Sequence, residues 1–213
     1  MKPIPHQFKE LEDLRAQFLA RRDAIQQRLA EFSSVQPDEY FYELVYCLLT
    51  PQSSAVNAGK AVDALKEAGF RSAGRNATQI LANRRHYIRF HNTKARHIVE
   101  ARRRLPEITA MLQHGSSGTE LREWLVRNVR GLGWKEASHF LRNIGYRNLA
   151  ILDRHILRNL KRHAVLRSLP ETLTPRRYLS IESKFSHFAD AVGISMYELD
   201  LLFWSRETGE ILK

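Results

Sequence analysis

Gly131-Leu132-Gly133 lies between two stretches of helical periodicity, and three residues leave room only for a tight hairpin from helix to helix. Glycine tolerates positive φ in such a turn, so consecutive backbone N–H groups can converge outward at the start of the next helix. Leu132, apolar between the two glycines, is expected to turn inward and hold the helices together. The rest of the chain agrees. Apolar residues recur at helical spacing nearly throughout, and no stretch sustains period-2 alternation between turn signals, so the fold class is all-α. The pattern predicts helices over 6–32, 37–49, 53–68, 77–83, 92–113, 118–130, 134–144, 154–163, 174–192 and 196–206. Ser195 and Glu198 have the spacing of a capping box for the last of these. Internal repeats and low-complexity segments are lacking, and Ser116-Ser117-Gly118 and Pro170 to Pro175 offer joints.

Composition narrows the class. With 213 residues, 43 % of them hydrophobic, the chain can bury a substantial core. No apolar run approaches the ~20 residues that span a bilayer, and the opening MKPIPHQFKELEDL lacks the apolar centre of a signal peptide. The single cysteine, Cys47, sits in YFYELVYCLLT and reads as packed and reduced, which excludes disulfides and a four-cysteine metal site. The nine histidines show no ligand spacing such as HExxH, and His139 and His155 read as packing or phosphate-contacting residues. Neither metal nor cofactor is expected.

Charge is more directive. The 34 Lys and Arg against 23 Asp and Glu leave +11, and the excess is clustered. Residues 83–104 hold eight basic residues and one acid; residues 127–163 hold nine and two. Clustering favours a polyanion partner over a merely solvated surface, and nucleic acid is the commonest polyanion. The expectation is a soluble, cytoplasmic, nucleoid-associated monomer that binds DNA and no membrane.

Two residues carry candidate chemistry. Flanked by Arg127, Arg130 and Lys135, the hairpin glycines Gly131 and Gly133 make a phosphate site at a helix N-terminus. Lys135 falls in the first turn of the following helix, where a cation opposes the helix dipole. That field favours the neutral amine a nucleophilic lysine needs, although an exposed lysine touching phosphate explains the residue as well. Asp153 begins another helix in LDRHILRNL, beside Arg154. An N-cap accounts for it, yet its second oxygen is left to face a cleft.

Gly-Leu-Gly, a lysine two positions on, and then Leu-Asp-Arg-His together resemble the helix-hairpin-helix DNA glycosylases of the endonuclease III superfamily. Within that superfamily the chain is similar to the small second family of 8-oxoguanine DNA glycosylase/AP lyases, known chiefly from archaea and some thermophilic bacteria. LLTPQSSAVNA, RFHNTKARHI, GLGWKEASHFLRNIG, ILDRHILRNL and LLFWSRETGEILK carry the likeness over nearly the whole chain. A single cysteine agrees with a family that lacks the superfamily's iron–sulfur cluster.

The resemblance implies one glycosylase unit, 1–213, of two helical subdomains with DNA bound across the cleft between them. These are 1–50 with 165–213, and 51–164 carrying the hairpin at 129–145. It implies base excision by Lys135 through a Schiff base, strand cleavage by β-elimination, and Asp153 ionised to stabilise positive charge on the sugar. Gln52, in TPQSS, matches a gap-filling position that a helix-start polar residue explains equally. Trp204 and Phe90 are candidates to stack on the extruded base, with a core aromatic the competing reading for Phe90. Arg130 and Arg154 are candidates for DNA contact.

Lys213 matches a C-terminal lysine associated with telling 8-oxoguanine from guanine, through an acceptor aimed at the lesion's N7–H, with Ile211 and Leu212 as anchors. The alternatives are a related glycosylase for another lesion, or a hairpin module that binds DNA without chemistry.

Overall fold

The structure, a computed structural model, describes residues 8–74 and 76–211. Every regular element among them is a helix. In chain order these are α1 (Leu11–Ser34), α2 (Tyr40–Leu49), α3 (Ala55–Glu67), α4 (Phe70–Ala73), α5 (Ala77–Leu81), a 3-10 turn (Arg84–His86) and α6 (His91–Arg103). They continue with α7 (Leu105–Gln113), α8 (Gly118–Asn128), α9 (Trp134–Asn143), α10 (Arg154–Arg162), α11 (Pro175–Val192) and α12 (Met196–Thr208). None of the described helices is long and apolar enough to cross a membrane.

The helix predicted over 92–113 is two helices, α6 and α7, joined at Arg104. Pro106, in the first turn of α7, lacks the N–H that would continue the α6 ladder. Arg104 fastens the joint. Its guanidinium grips Glu107 at 2.8 and 2.9 Å and the backbone carbonyl of Asn128 at the end of α8.

The chain divides into two compact units: residues through Ser34 together with those from Gly145 onward, and Val35–Ile144. These divisions lie elsewhere than the sequence suggested, since α2 belongs with the middle of the chain and residues 145–164 with its ends.

In the continuous unit, α2 is buried at nine of its ten positions and packs on α3, α6 and α9. Its one carboxyl group near the core, Glu43, accepts from Asn143 Nδ2 at 3.0 Å, as a buried polar group requires. In the other unit, α12 packs against α1, α10 and α11. Phe185, Phe188, Phe203 and Leu199 are buried there, and the His163 ring is stacked between Phe188 and Phe203 at 5.6 and 5.5 Å. His163 donates from Nδ1 to the Lys9 carbonyl and accepts at Nε2 from Arg206, which also grips Asp13 and Asn159.

Candidate active site

In the continuous unit, α8 gives way at Val129 to the glycine hairpin. Leu132 N–H donates to Val129 O at 3.2 Å, which closes a four-residue turn with Gly131 in its third position at φ +87°. That position requires positive φ. A Cβ on Gly131 would lie 2.2 Å from His97 Nδ1, so His97 on α6 packs directly against the turn. Burial, and then the neighbouring Arg130, hold the His97 imidazole below its usual pKa. Leu132 is buried and Arg130 exposed, as an inward leucine and an outward arginine should be. Gly133 differs from the sequence expectation: it caps α9 in extended backbone, not at positive φ. Its lack of a side chain serves Glu136, whose Oε2 would meet a Cβ at 2.8 Å.

Lys135 occupies the first turn of α9, half-buried, with Nζ 3.7 Å from Glu136 Oε1. That carboxylate, in the same turn, complements the helix dipole and lies near the amine.

The same unit brings Gln52 and Phe90 onto neighbouring loops. Both are exposed and both adopt positive φ, +55° and +60°. Phe90 is no core residue: it is 51 % exposed and lies against the Arg89 guanidinium, 5.0 Å from the ring centroid. Ser53 Oγ accepts from Arg89 N–H at 3.1 Å, and Asn57 Nδ2 donates to Tyr87 O at 3.3 Å, which ties loop 50–54 and the start of α3 to loop 87–90.

The other unit holds Asp153 and Trp204 together. Asp153 caps α10, its Oδ1 accepting from the N–H groups of His155 and Ile156 at 2.8 and 2.9 Å. Its Oδ2 is not left free, because the indole Nε1–H of Trp204 donates to it at 3.1 Å. Trp204 is half-buried on α12, and His155 meets its ring edge-on at 6.0 Å. The strand of chain leading to Asp153 is held from α11. Tyr178 Oη accepts from Leu152 N–H at 3.2 Å and donates to Ala150 O at 2.6 Å, while Glu182 accepts from Ala150 N–H at 2.7 Å.

Neither Tyr178 nor Glu182 carries a local sequence signal, because each acts 26 or more positions away. Arg154 is exposed and donates to His155 Nε2 at 3.2 Å. Near the end of the chain, Ile211 O accepts from Arg28 of α1 at 3.4 Å. Leu212 and Lys213, the anchor and the specificity candidate, lie outside the described residues.

Each unit thus places one candidate group at a helix N-terminus: the Lys135 amine on α9 and the Asp153 carboxylate on α10. A family model described as 8-oxoguanine DNA glycosylase matches residues 25–194. The 8-oxoguanine DNA glycosylase/AP lyase of Fusobacterium nucleatum is 39 % identical over 97 % of this chain and 97 % of its own. The solved 8-oxoguanine DNA glycosylase of Thermotoga maritima is similar with a TM-score of 0.84 at 33 % identity, covering 95 % of this chain and 98 % of that one. The glycosylase/lyase of Methanocaldococcus jannaschii, solved in complex with a 15mer DNA containing 8-oxoguanine, reaches 0.83 at 33 % identity, with 94 % and 99 % covered. Matched by that family model over most of its length and by such relatives over nearly all of it, the chain belongs to the helix-hairpin-helix 8-oxoguanine DNA glycosylase family.

Proposed function

We propose that this protein excises 8-oxoguanine from double-stranded DNA and cleaves the strand 3′ to the resulting abasic site. The observation that carries the reading is family membership along nearly the full chain, with relatives named for both activities. The neutral amine of Lys135 attacks C1′, the C1′–N9 bond breaks, and the base leaves with a proton. The ring-opened sugar remains on Lys135 as a Schiff base. Loss of a C2′ proton then expels the 3′ phosphate by β-elimination. Asp153, ionised and oriented by two backbone N–H groups and Trp204, stabilises positive charge on the sugar as the base departs.

The hairpin turn at Gly131 and the exposed Arg130 and Arg154 hold the phosphates. Extrusion of the base, which costs a few kcal/mol, is offset by Gln52 at the vacated stack and by Trp204 and Phe90 at the extruded base. Lys213 supplies the acceptor for the lesion's N7–H, an edge that guanine opposes with a lone pair. The enzyme works as a monomer on chromosomal DNA inside the cell, where its charge of +11 favours non-specific capture of duplex.

Borohydride trapping on a duplex with one 8-oxoguanine tests the assignment. A protein–DNA adduct is expected from the wild type and none from Lys135→Gln; an adduct that survives this substitution refutes Lys135 as nucleophile. Adducts only on a different lesion would reassign the substrate, and none on any lesion would leave a binding module.

A further inference from the structure

We propose that Lys94 is a positioning residue for base extrusion: its side chain fixes the loop that carries Gln52 and, through Ser53, the backbone next to Phe90. This inference rests on the reading of Gln52 as the side chain that enters the vacated stack and of Phe90 as one that stacks on the extruded base. Lys94 belongs to the basic stretch 83–104, yet it does not face solvent. It is 6 % exposed, and its ammonium donates to Leu49 O at 2.7 Å, Pro51 O at 2.6 Å and Ser53 Oγ at 3.0 Å. Three protons meet three acceptors, with no carboxylate among them. Leu49 is the last residue of α2, so the charge sits at the negative end of that helix and takes up a carbonyl the helix leaves unpaired.

The acceptors bracket Gln52 on both sides. A glutamine at φ +55° costs about 1–2 kcal/mol relative to ordinary backbone, so the loop holds this shape only if its neighbours fix it. Ser53 Oγ, gripped by Lys94, also accepts from the N–H of Arg89, the residue before Phe90. One residue thus joins two loops, each presenting an exposed side chain from strained backbone. Burial lowers the Lys94 pKa to about 8, which agrees with an ammonium kept by hydrogen bonds alone.

The test separates extrusion from chemistry. Lys94→Met keeps the length of the side chain and removes all three donors. Excision of 8-oxoguanine from duplex should slow at least tenfold, with a matching loss in the rate of 2-aminopurine unstacking beside the lesion. Cleavage at a preformed abasic site, where no base remains to be extruded, should stay within threefold of wild type. Ser53→Ala, which keeps the charge and removes the shared acceptor, should show a smaller loss on the same pattern, and it carries the test if Lys94→Met fails to fold. Gln52→Ala should lower duplex excision by itself, and adding Lys94→Met should then lower it little further. Equal losses of excision and abasic-site cleavage in Lys94→Met, or undiminished excision, overturn the inference. If Gln52→Ala and Phe90→Ala both leave excision intact, the reading of those two residues fails first, and the role of Lys94 with it.

Discussion

Trp204→Phe isolates a single hydrogen bond at the carboxylate. The substitution keeps an aromatic ring where Trp204 stands and removes the Nε1–H that donates to Asp153 Oδ2 at 3.1 Å. A hydrogen bond to an ionised acceptor contributes about 1.5–3 kcal/mol, and both partners here are half-buried, which places this one near 1.5 kcal/mol. If the bond orients the carboxylate against the charge that develops on the sugar, its loss appears in the barrier, and 1.36 kcal/mol is a factor of ten. Single-turnover excision on duplex 8-oxoguanine should therefore slow about tenfold while DNA affinity is unchanged, since no charge has moved. Trp204→Ala removes the ring too and should lose a further 1–3 kcal/mol, the typical worth of stacking an aromatic on a base. The same bond ties α12 to the start of α10, so the melting temperature of Trp204→Phe should fall by about 3–6 °C. A fall in melting temperature with unchanged excision would refute the reasoning, because the bond would then serve only the fold. Excision as slow as in Trp204→Ala would refute it also, because the phenylalanine would have supplied no stacking.

Two further outcomes are expected. Gly131→Ala forces an alanine to φ +87° and drives its Cβ against His97, costing about 2–3 kcal/mol; denaturant unfolding should show the loss, with partial recovery in Gly131→Ala/His97→Ala, and full recovery would mean that φ is not the constraint. Burial, with the Arg206 guanidinium adding to it, holds the His163 imidazole below its usual pKa, so the folded state keeps it neutral while the unfolded chain protonates it near 6.5. Its stability contribution is present above that pH and is lost as pH falls below it. Thermal melts from pH 7.5 to 5 should decline less steeply in His163→Gln, and identical slopes would remove His163 as the cause.

What the sequence revealed, and what it hid, divides by the reach of each interaction. Helices with a local stop or cap were legible: Ser195 and Glu198 form their capping box, and Asp153 caps α10. The Gly131 turn was legible because positive φ at a hairpin needs glycine. The break at Arg104 was signalled by Pro106, but the apolar period ran through it. The side chains that meet across the chain left no mark. Trp204 reaches Asp153 over 51 positions, Lys94 reaches Leu49 over 45, and Tyr178 reaches Leu152 over 26. Composition even misdirected in one respect. Several cations of the basic stretches serve the interior: Lys94 and Arg142 are buried, and Arg102 lies over the Phe70 ring at 5.5 Å. Net charge counts such residues as surface, while desolvation and carbonyl acceptors decide where they go.

The discontinuous unit has a consequence for how the protein is made. α1 leaves the ribosome long before its partner α12, with ten helices made between them. Val35–Ile144 is continuous and can complete its core while synthesis proceeds. Meanwhile the apolar stripe of α1, with Leu14, Ile25, Leu29 and Phe32, must wait without its cover. Closing a loop of that length costs only slightly more than closing a short one, so the delay burdens kinetics far more than final stability. The helix that waits is rich in charge: Glu12, Asp13, Arg15, Arg21, Arg22 and Asp23 all lie within its first four turns. That mixed charge keeps a nascent amphipathic segment soluble until α12 arrives to cover it.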